Sequence, residues 1–230
     1  EKIAQSNAAL SNTTLKLEEN GESVTLQDIS ASSRVIVGES YGVIFGSRFA
    51  RNENGELLID DSGYPLVDTE EGVIGDPIPD WNAGIRNTLS YKNFSLSALL
   101  DVRQGGDVWC GTCAVIDYFG TSQVTAEQRT ITDYVFEGVN VNTGQPNTTE
   151  VALANPENGI NSYRWTRYGF GGVNEDYVFD TSWVRLREAS LTYQLPSSLL
   201  DATFLNSGSI TASGRNLFLI TDYPGVDPET

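Results

Sequence analysis

Residues 81–103 read WNAGIRNTLSYKNFSLSALLDVR. In the first arm Trp81, Ala83, Ile85, Leu89 and Tyr91 share one face and Asn82, Arg86, Thr88, Ser90 and Lys92 the other, with Asn87 the one polar residue in the apolar series. In the second arm Phe94, Leu96, Ala98, Leu100 and Val102 alternate with Ser95, Ser97, Asp101 and Arg103, and Leu99 is the exception. Successive side chains of a strand point to opposite faces, so a period of two marks β-structure. Lys92-Asn93 sits where a short turn reverses the chain. The stretch is therefore expected to form a long antiparallel hairpin.

The same pattern returns downstream. Residues 183–193 (WVRLREASLTY) alternate with a phase slip near Glu188, as a β-bulge would cause. Residues 197–205 read as a short helical connection, and 209–220 as a last strand with Ile210, Ala212, Phe218 and Ile220 against Thr211, Ser213 and Arg215. Upstream, 13–17 and 23–27 are expected to pair around the turn signal Asn20-Gly21, and 42–49 (GVIFGSRF) precedes an acidic, turn-rich stretch. Between these lies 104–180, rich in Gly, Asn and Thr, with one helix start at 125–128 that has capping-box spacing. So long a stretch without sustained periodicity exceeds an ordinary loop. Long alternating strands with brief turns at one end and long segments at the other fit a mainly β fold. A soluble sandwich buries one face and wets the other, whereas an outer-membrane barrel keeps its periplasmic turns short and its extracellular loops long.

Composition narrows the chemistry. The 230 residues hold 14 Lys+Arg against 31 Asp+Glu, a formal net charge of −17, with no His and no Met. Without imidazole there is no Ser-His-Asp or Cys-His nucleophile pair, no His general base and no His-ligated zinc. The acidic balance repels a phosphate backbone, so nucleic acid is not an expected partner. No run of 18 apolar residues marks a transmembrane helix, which says nothing about barrel strands. A chain that begins without Met or a signal pattern is expected to be a mature product or a fragment.

Five blocks carry a family resemblance: VIGDPIPDW (73–81), NTLSYKNFSLS (87–97), DVRQGGD (101–107), SWVRLREASLTYQLP (182–196) and SGRNLFLITDYPGVDP (213–228). In this order they resemble the C-terminal barrel of SusC/RagA-type TonB-dependent outer-membrane transporters. The resemblance implies antiparallel strands of a transmembrane β-barrel of about 22 strands, with long extracellular loops, a short helix or two, and a lumen closed by a plug. It implies that 1–230 is a partial barrel region, with the plug, the TonB-contacting N-terminus and the final strand outside it, and that 42–80 and 104–180 are long extracellular segments. It further implies an outer membrane of a Gram-negative bacterium, a SusD-like surface lipoprotein, TonB, outer-membrane lipid, and import of an oligosaccharide or oligopeptide without an enzymatic step or cofactor. The alternative is a soluble β-rich glycan-binding module.

Trp109, Tyr118, Phe119, Trp165 and Tyr168 are candidates to line an outer vestibule, since aromatic faces pack on sugar rings and peptide side chains; the competing reading is that they hold a long loop together. Cys110-Gly-Thr-Cys113 has no second pair and no His beside it, which leaves a local disulfide or two thiols rather than a metal site. Asn52, Asn54, Gly55 and Asp61 fall at offsets like those of a calcium loop, yet Ala50 occupies the first ligand position, so solvated turns are expected. Asp60-Asp61 and Glu70-Glu71 are likewise read as solvated, because adjacent carboxylates need not converge on one bond.

Overall fold

The computed structural model describes residues 16–19, 22–25, 31–155, 163–201 and 204–229. In chain order the elements are β1 (Lys16–Glu19), β2 (Glu22–Thr25), β3 (Ser32–Val35), β4 (Tyr41–Gly46), β5 (Leu58–Ile59), β6 (Gly72–Gly75), β7 (Trp81–Tyr91) and β8 (Phe94–Gln104). There follow β9 (Asp107–Trp109), α1 (Gly111–Tyr118), α2 (Gln123–Gln128), β10 (Val139–Asn140), α3 (Arg164–Tyr168), a 3-10 turn (Asn174–Tyr177), β11 (Val178–Asp180), β12 (Trp183–Gln194), α4 (Ser197–Leu200) and β13 (Ser209–Thr221). They fall into two compact units: a loop unit, Glu1–Ile78 with Asp107–Phe179, and a sheet unit, Pro79–Gly106 with Asp180–Thr230.

The sheet unit is a four-stranded antiparallel sheet in the order β13-β12-β8-β7. The hairpin of β7 and β8 runs in register from Trp81↔Gln104 to Tyr91↔Phe94. Its two-residue turn needs a positive φ, which Lys92 supplies at 52°. Asn93 ties that turn to the next strand, donating from Nδ2 to the Gln194 carbonyl at 2.8 Å while its own carbonyl accepts from Gln194 N.

Register stacks the alternation of four strands into rows across one face: Ala83, Val102, Val184 and Ile220; Ile85, Leu100, Leu186 and Phe218; Asn87, Ala98, Ala189 and Gly214; Leu89, Leu96, Leu191 and Ala212; Tyr91, Phe94, Tyr193 and Ile210. Asn87 alone is polar. These side chains are not buried; Leu89 is 66% exposed, and Ile85, Tyr91, Ile210 and Ile220 are exposed with it. An apolar patch this continuous is foreign to the water-facing surface of a soluble monomer.

The opposite face is polar and is divided along the strands. Toward the short turns its strands carry uncharged groups, the Gln194 amide and hydroxyls paired across strands as Thr88 with Ser97 (3.2 Å), Ser90 with Ser95 (3.1 Å) and Thr192 with Thr211 (2.9 Å). Toward the other end it carries Asp101, Arg103, Arg185, Glu188, Arg86 and Arg215. Both short connections, Lys92-Asn93 and 195–208, leave the same end of the sheet, while the chain enters and leaves by the Trp81, Gln104, Trp183 and Thr221 end.

The phase slip expected near Glu188 is a bulge. Against β8, Leu186 faces Leu100 and Glu188 faces Leu99; against β13, Leu186 faces Phe218 and Glu188 faces Arg215. Each step outward from β8 thus adds one residue, and Asn216 absorbs the second with φ 50°. Asn tolerates that conformation better than most residues other than Gly.

In the loop unit, stretches without periodicity in sequence fold around a shared core. Phe49, Ile59 and Tyr64 from the first long segment pack with Phe136, Val151, Leu153, Tyr168 and Val173 from the second. β5 pairs in parallel with β10, and β3, β4 and β6 form a three-stranded sheet. The 3-10 turn clamps the segments together: Glu175 accepts from Phe49 N at 2.8 Å and pairs with Arg51, and Asp176 pairs with Arg164 at 2.8 Å. The 125–128 helix start is corrected by three residues, because α2 begins at Gln123 and its cap is Ser122, whose Oγ accepts from Thr125 N. β1 and β2 pair antiparallel from Lys16↔Thr25 to Glu19↔Glu22, shifted from the expected arms; the turn at Asn20-Gly21 lies outside the described residues.

Candidate functional site

The loop unit separates the five aromatic candidates. Trp165 and Tyr168, on α3, are 2% and 1% exposed. This corrects their assignment to a surface: Tyr168 packs edge-on against Phe49 at 5.2 Å and donates its hydroxyl to the Pro65 carbonyl at 2.8 Å. Burial pushes the pKa of that phenol well up, so it stays a neutral donor. Both residues hold the unit together. Trp109 is half-buried with its ring over Gly111, where an added Cβ would meet ring carbons at 2.8 Å.

The remaining two come together with a third residue. Tyr118, at the end of α1, makes edge-to-face contacts with Phe119 (5.3 Å, 89°) and Phe170 (6.3 Å, 71°). Phe119 is 68% exposed and Phe170 is exposed beside it. The three rings form an exposed aromatic cluster, which Phe170 joins through a turn after α3 that no local pattern announced.

Cys110 and Cys113 are joined as a disulfide, one of the two states the sequence leaves open. Cys110 is also the cap of α1: its Sγ accepts from Cys113 N at 3.1 Å, and its own N–H is held by the Tyr177 carbonyl at 2.8 Å. Both sulfur residues are buried. Asn52 uses its side-chain carbonyl to accept from Asn54 N and Glu56 N, and Asp61 accepts from the side-chain amides of Asn140 (3.0 Å) and Asn142 (2.8 Å), which hold its carboxyl below the usual range. Asn52 closes its own turn, and Asp61 ties the first long segment to the second. Among the described residues no three His, Cys, Asp or Glu side chains cluster as metal ligands would.

A second polar constellation lies in the sheet unit, where sequence reading placed no site. Arg185 is almost fully buried and pairs with Asp227 (2.6 Å) and Glu229 (3.3 Å); Arg187 pairs with Asp101 (3.0 Å) and Glu229 (2.7 Å). Residues 222–229 are thereby latched onto the charged end of the polar face. Hydrogen bonds from Arg185 and Arg187 hold the carboxyls of Asp227 and Glu229, respectively, below their ordinary range. The signal in sequence was the alternation Arg185, Arg187 with Leu186 between, which a period of two alone reads as solvated.

No protein-family model matches the chain. Among curated proteins it is 34% identical to TonB-dependent receptor P3 of Formosa agariphila over 176 residues, 76% of this chain and 15% of that protein. It is 27% identical to TonB-dependent receptor P26 of the same organism over 218 residues, 87% of this chain and 20% of that protein. Among solved structures it matches the RagAB peptide importer in its closed-closed state with a TM-score of 0.48 at 17% identity, over 90% of this chain and 22% of that one. The chain thus spans between 15% and 20% of the length of these two curated relatives. Relatedness over most of this chain agrees with the five sequence blocks: its homologues are TonB-dependent receptors, and the chain fits a SusC/RagA-type fragment.

Proposed function

We propose that this chain forms part of the barrel wall and outer vestibule of a TonB-dependent importer in the outer membrane of a Gram-negative bacterium, carrying oligosaccharides or oligopeptides. The observation that carries the reading is the five-row apolar face, exposed on one side of a sheet whose other side is polar. Lipid would cover the first and an aqueous lumen would wet the second, as alternation in a transmembrane barrel requires. Strands of 11 to 13 residues meet the roughly 9–11 tilted residues that a bilayer core demands. The rim row of Tyr91, Phe94 and Tyr193, with Phe94 and Tyr193 rings 4.7 Å apart, and Trp81 at the opposite end suit the two aromatic girdles.

The short connections would face the periplasm and the loop unit the exterior. That unit holds 23 of the 31 acidic residues but only 8 of the 14 cationic ones, a charge that keeps it hydrated. Tyr118, Phe119 and Phe170 are its vestibule candidates. A SusD-like surface lipoprotein would cap this side, and TonB would act through a region beyond the chain. The curated relatives are named receptors, and a chain without His offers no acid–base pair of the usual kind, so transport without catalysis is the reading adopted. The exposed rows speak against a soluble glycan-binding module.

Topology is tested by cysteine substitution in the full-length protein on intact cells. A membrane-impermeant maleimide should label Glu53→Cys and leave Ser207→Cys unlabelled until the envelope is opened. The reverse pattern overturns the orientation.

A further inference from the structure

We propose that the polar face of the sheet unit carries a binding site for an oxyanion borne by the cargo, a carboxylate or a sulfate, with Arg215 as its pairing residue. The inference rests on the import reading above. The site forms where the strands fall out of step. The bulges at Arg187 in β12 and Asn216 in β13 open a pocket of about 280 Å³ lined by Leu99, Arg187, Glu188, Arg215 and Asn216. Bulges re-aim side chains in this way and often stand beside functional sites.

Among the charged residues of this pocket and its row, ion pairing leaves Arg215 apart. Arg185 and Arg187 are held by Asp227, Glu229 and Asp101, as described above. Glu188, on the pocket wall, is met by Arg86 at 3.5 Å. Arg215 stands directly across from Glu188 in register, yet among the described residues its guanidinium has no carboxylate within ion-pair distance. The row Arg86, Leu99, Glu188, Arg215 therefore holds two cations and one anion, and the cation left over is exposed on the pocket wall beside the Asn216 side chain.

A guanidinium offers two parallel N–H donors that match the spacing of carboxylate or sulfate oxygens, and such charge-assisted pairs are the strong ones. Leu99 adds an apolar wall on which the carbon frame of the ligand can rest. Toward the short turns the strands of this face hold only hydroxyls and the Gln194 amide, which can hydrogen-bond a sugar or peptide but cannot neutralise it. Between the Arg215 row and Lys92 at the turn, the strands of this wall offer a negative charge no counter-charge. The same chemistry is presented by a peptide C-terminus and by an acidic or sulfated sugar.

The test uses the full-length transporter purified in detergent and titrated with four probes: an N-acetylated tripeptide with neutral side chains as the free acid and as its C-terminal amide, and a glucuronate-containing trisaccharide and its glucose counterpart. At low salt at least one acidic probe should bind about tenfold more tightly than its neutral partner, and the pair that shows the preference identifies the source of the oxyanion. Arg215→Gln should reduce the preference to within about twofold while leaving the neutral probe unaffected, Arg215→Lys should keep part of it, and Lys92→Gln, at the far turn, should leave it whole. Equal binding of acidic and neutral probes in both pairs, a preference that survives Arg215→Gln, or no binding of any probe overturns the site. Uptake by cells is read in parallel. Import of a neutral probe without any acid preference sinks this inference alone, whereas TonB-independent entry of every probe sinks the import reading.

Discussion

Leu96→Arg is expected to destabilise the barrel by about 2–4 kcal/mol, and Ser97→Arg, one residue along, by less than about 1 kcal/mol. The two positions differ in face alone. Leu96 stands between Leu89 and Leu191 in an exposed apolar row, and Ser97 stands between Thr88 and Ser190 in the hydroxyl rows. In water an exposed leucine yields to arginine at little cost; in a bilayer the charge must leave its hydration or drag water with it. The contrast between neighbours cancels strand propensity and most local effects. Unfolding of the full-length protein in bilayers by guanidinium measures it, and equal effects at the two positions would remove the lipid-facing assignment while leaving the hairpin intact.

Arg164→Met is expected to cost the loop unit about 3–5 kcal/mol, because it leaves a buried carboxylate without its counter-charge. Arg164 and Asp176 are both largely buried and meet at 2.8 Å through both carboxylate oxygens. Burial pushes the Asp176 carboxyl above its ordinary range even with Arg164 beside it. A carboxyl raised in the folded state favours folding below its unfolded-state pKa, and that contribution is lost as pH rises through the folded value. Removing Arg164 raises Asp176 further, so the deficit of the variant should be greatest near neutral pH and shrink as pH falls toward the ordinary carboxylate range. Hydrogen exchange across 163–177 in the full-length protein reports it. A deficit that stays constant with pH, or one below about 1 kcal/mol, would mean that water reaches Asp176.

The sheet unit was legible in sequence because each of its strands repeats one local rule. Alternation at 81–103, 183–193 and 209–220 required only near neighbours, and even the bulge announced itself as a slip of phase at Glu188. The loop unit was not legible, for a physical reason. Its core joins Phe49 to Tyr168 and Tyr64 to Phe136, residues far apart in the chain, on turns closed by side chains such as Asn52, Asp60 and Asn140 rather than by any period. Aromatic abundance in 104–180 suggested a ligand surface. It could not separate Phe119, which faces solvent, from Trp165 and Tyr168, which are core, because burial is a property of the partner segment. The charged pocket escaped for a similar reason: Arg215 reads as one more outward cation until register sets it beside a glutamate already engaged by Arg86.

The central claim is that one face of this sheet meets lipid, and collision-based spin-label spectroscopy measures that most directly. Labels are placed singly at Leu191 and Thr192 of the full-length protein reconstituted in bilayers; the two are neighbours on β12 that point to opposite faces. The account predicts that molecular oxygen, which concentrates in the hydrocarbon core, relaxes the Leu191 label far more than a water-soluble nickel chelate does, and that Thr192 is less accessible to oxygen than Leu191. Free access of the chelate to Leu191, as on a soluble sheet, or silence of that label to both reagents, as in a closed protein core, would contradict it.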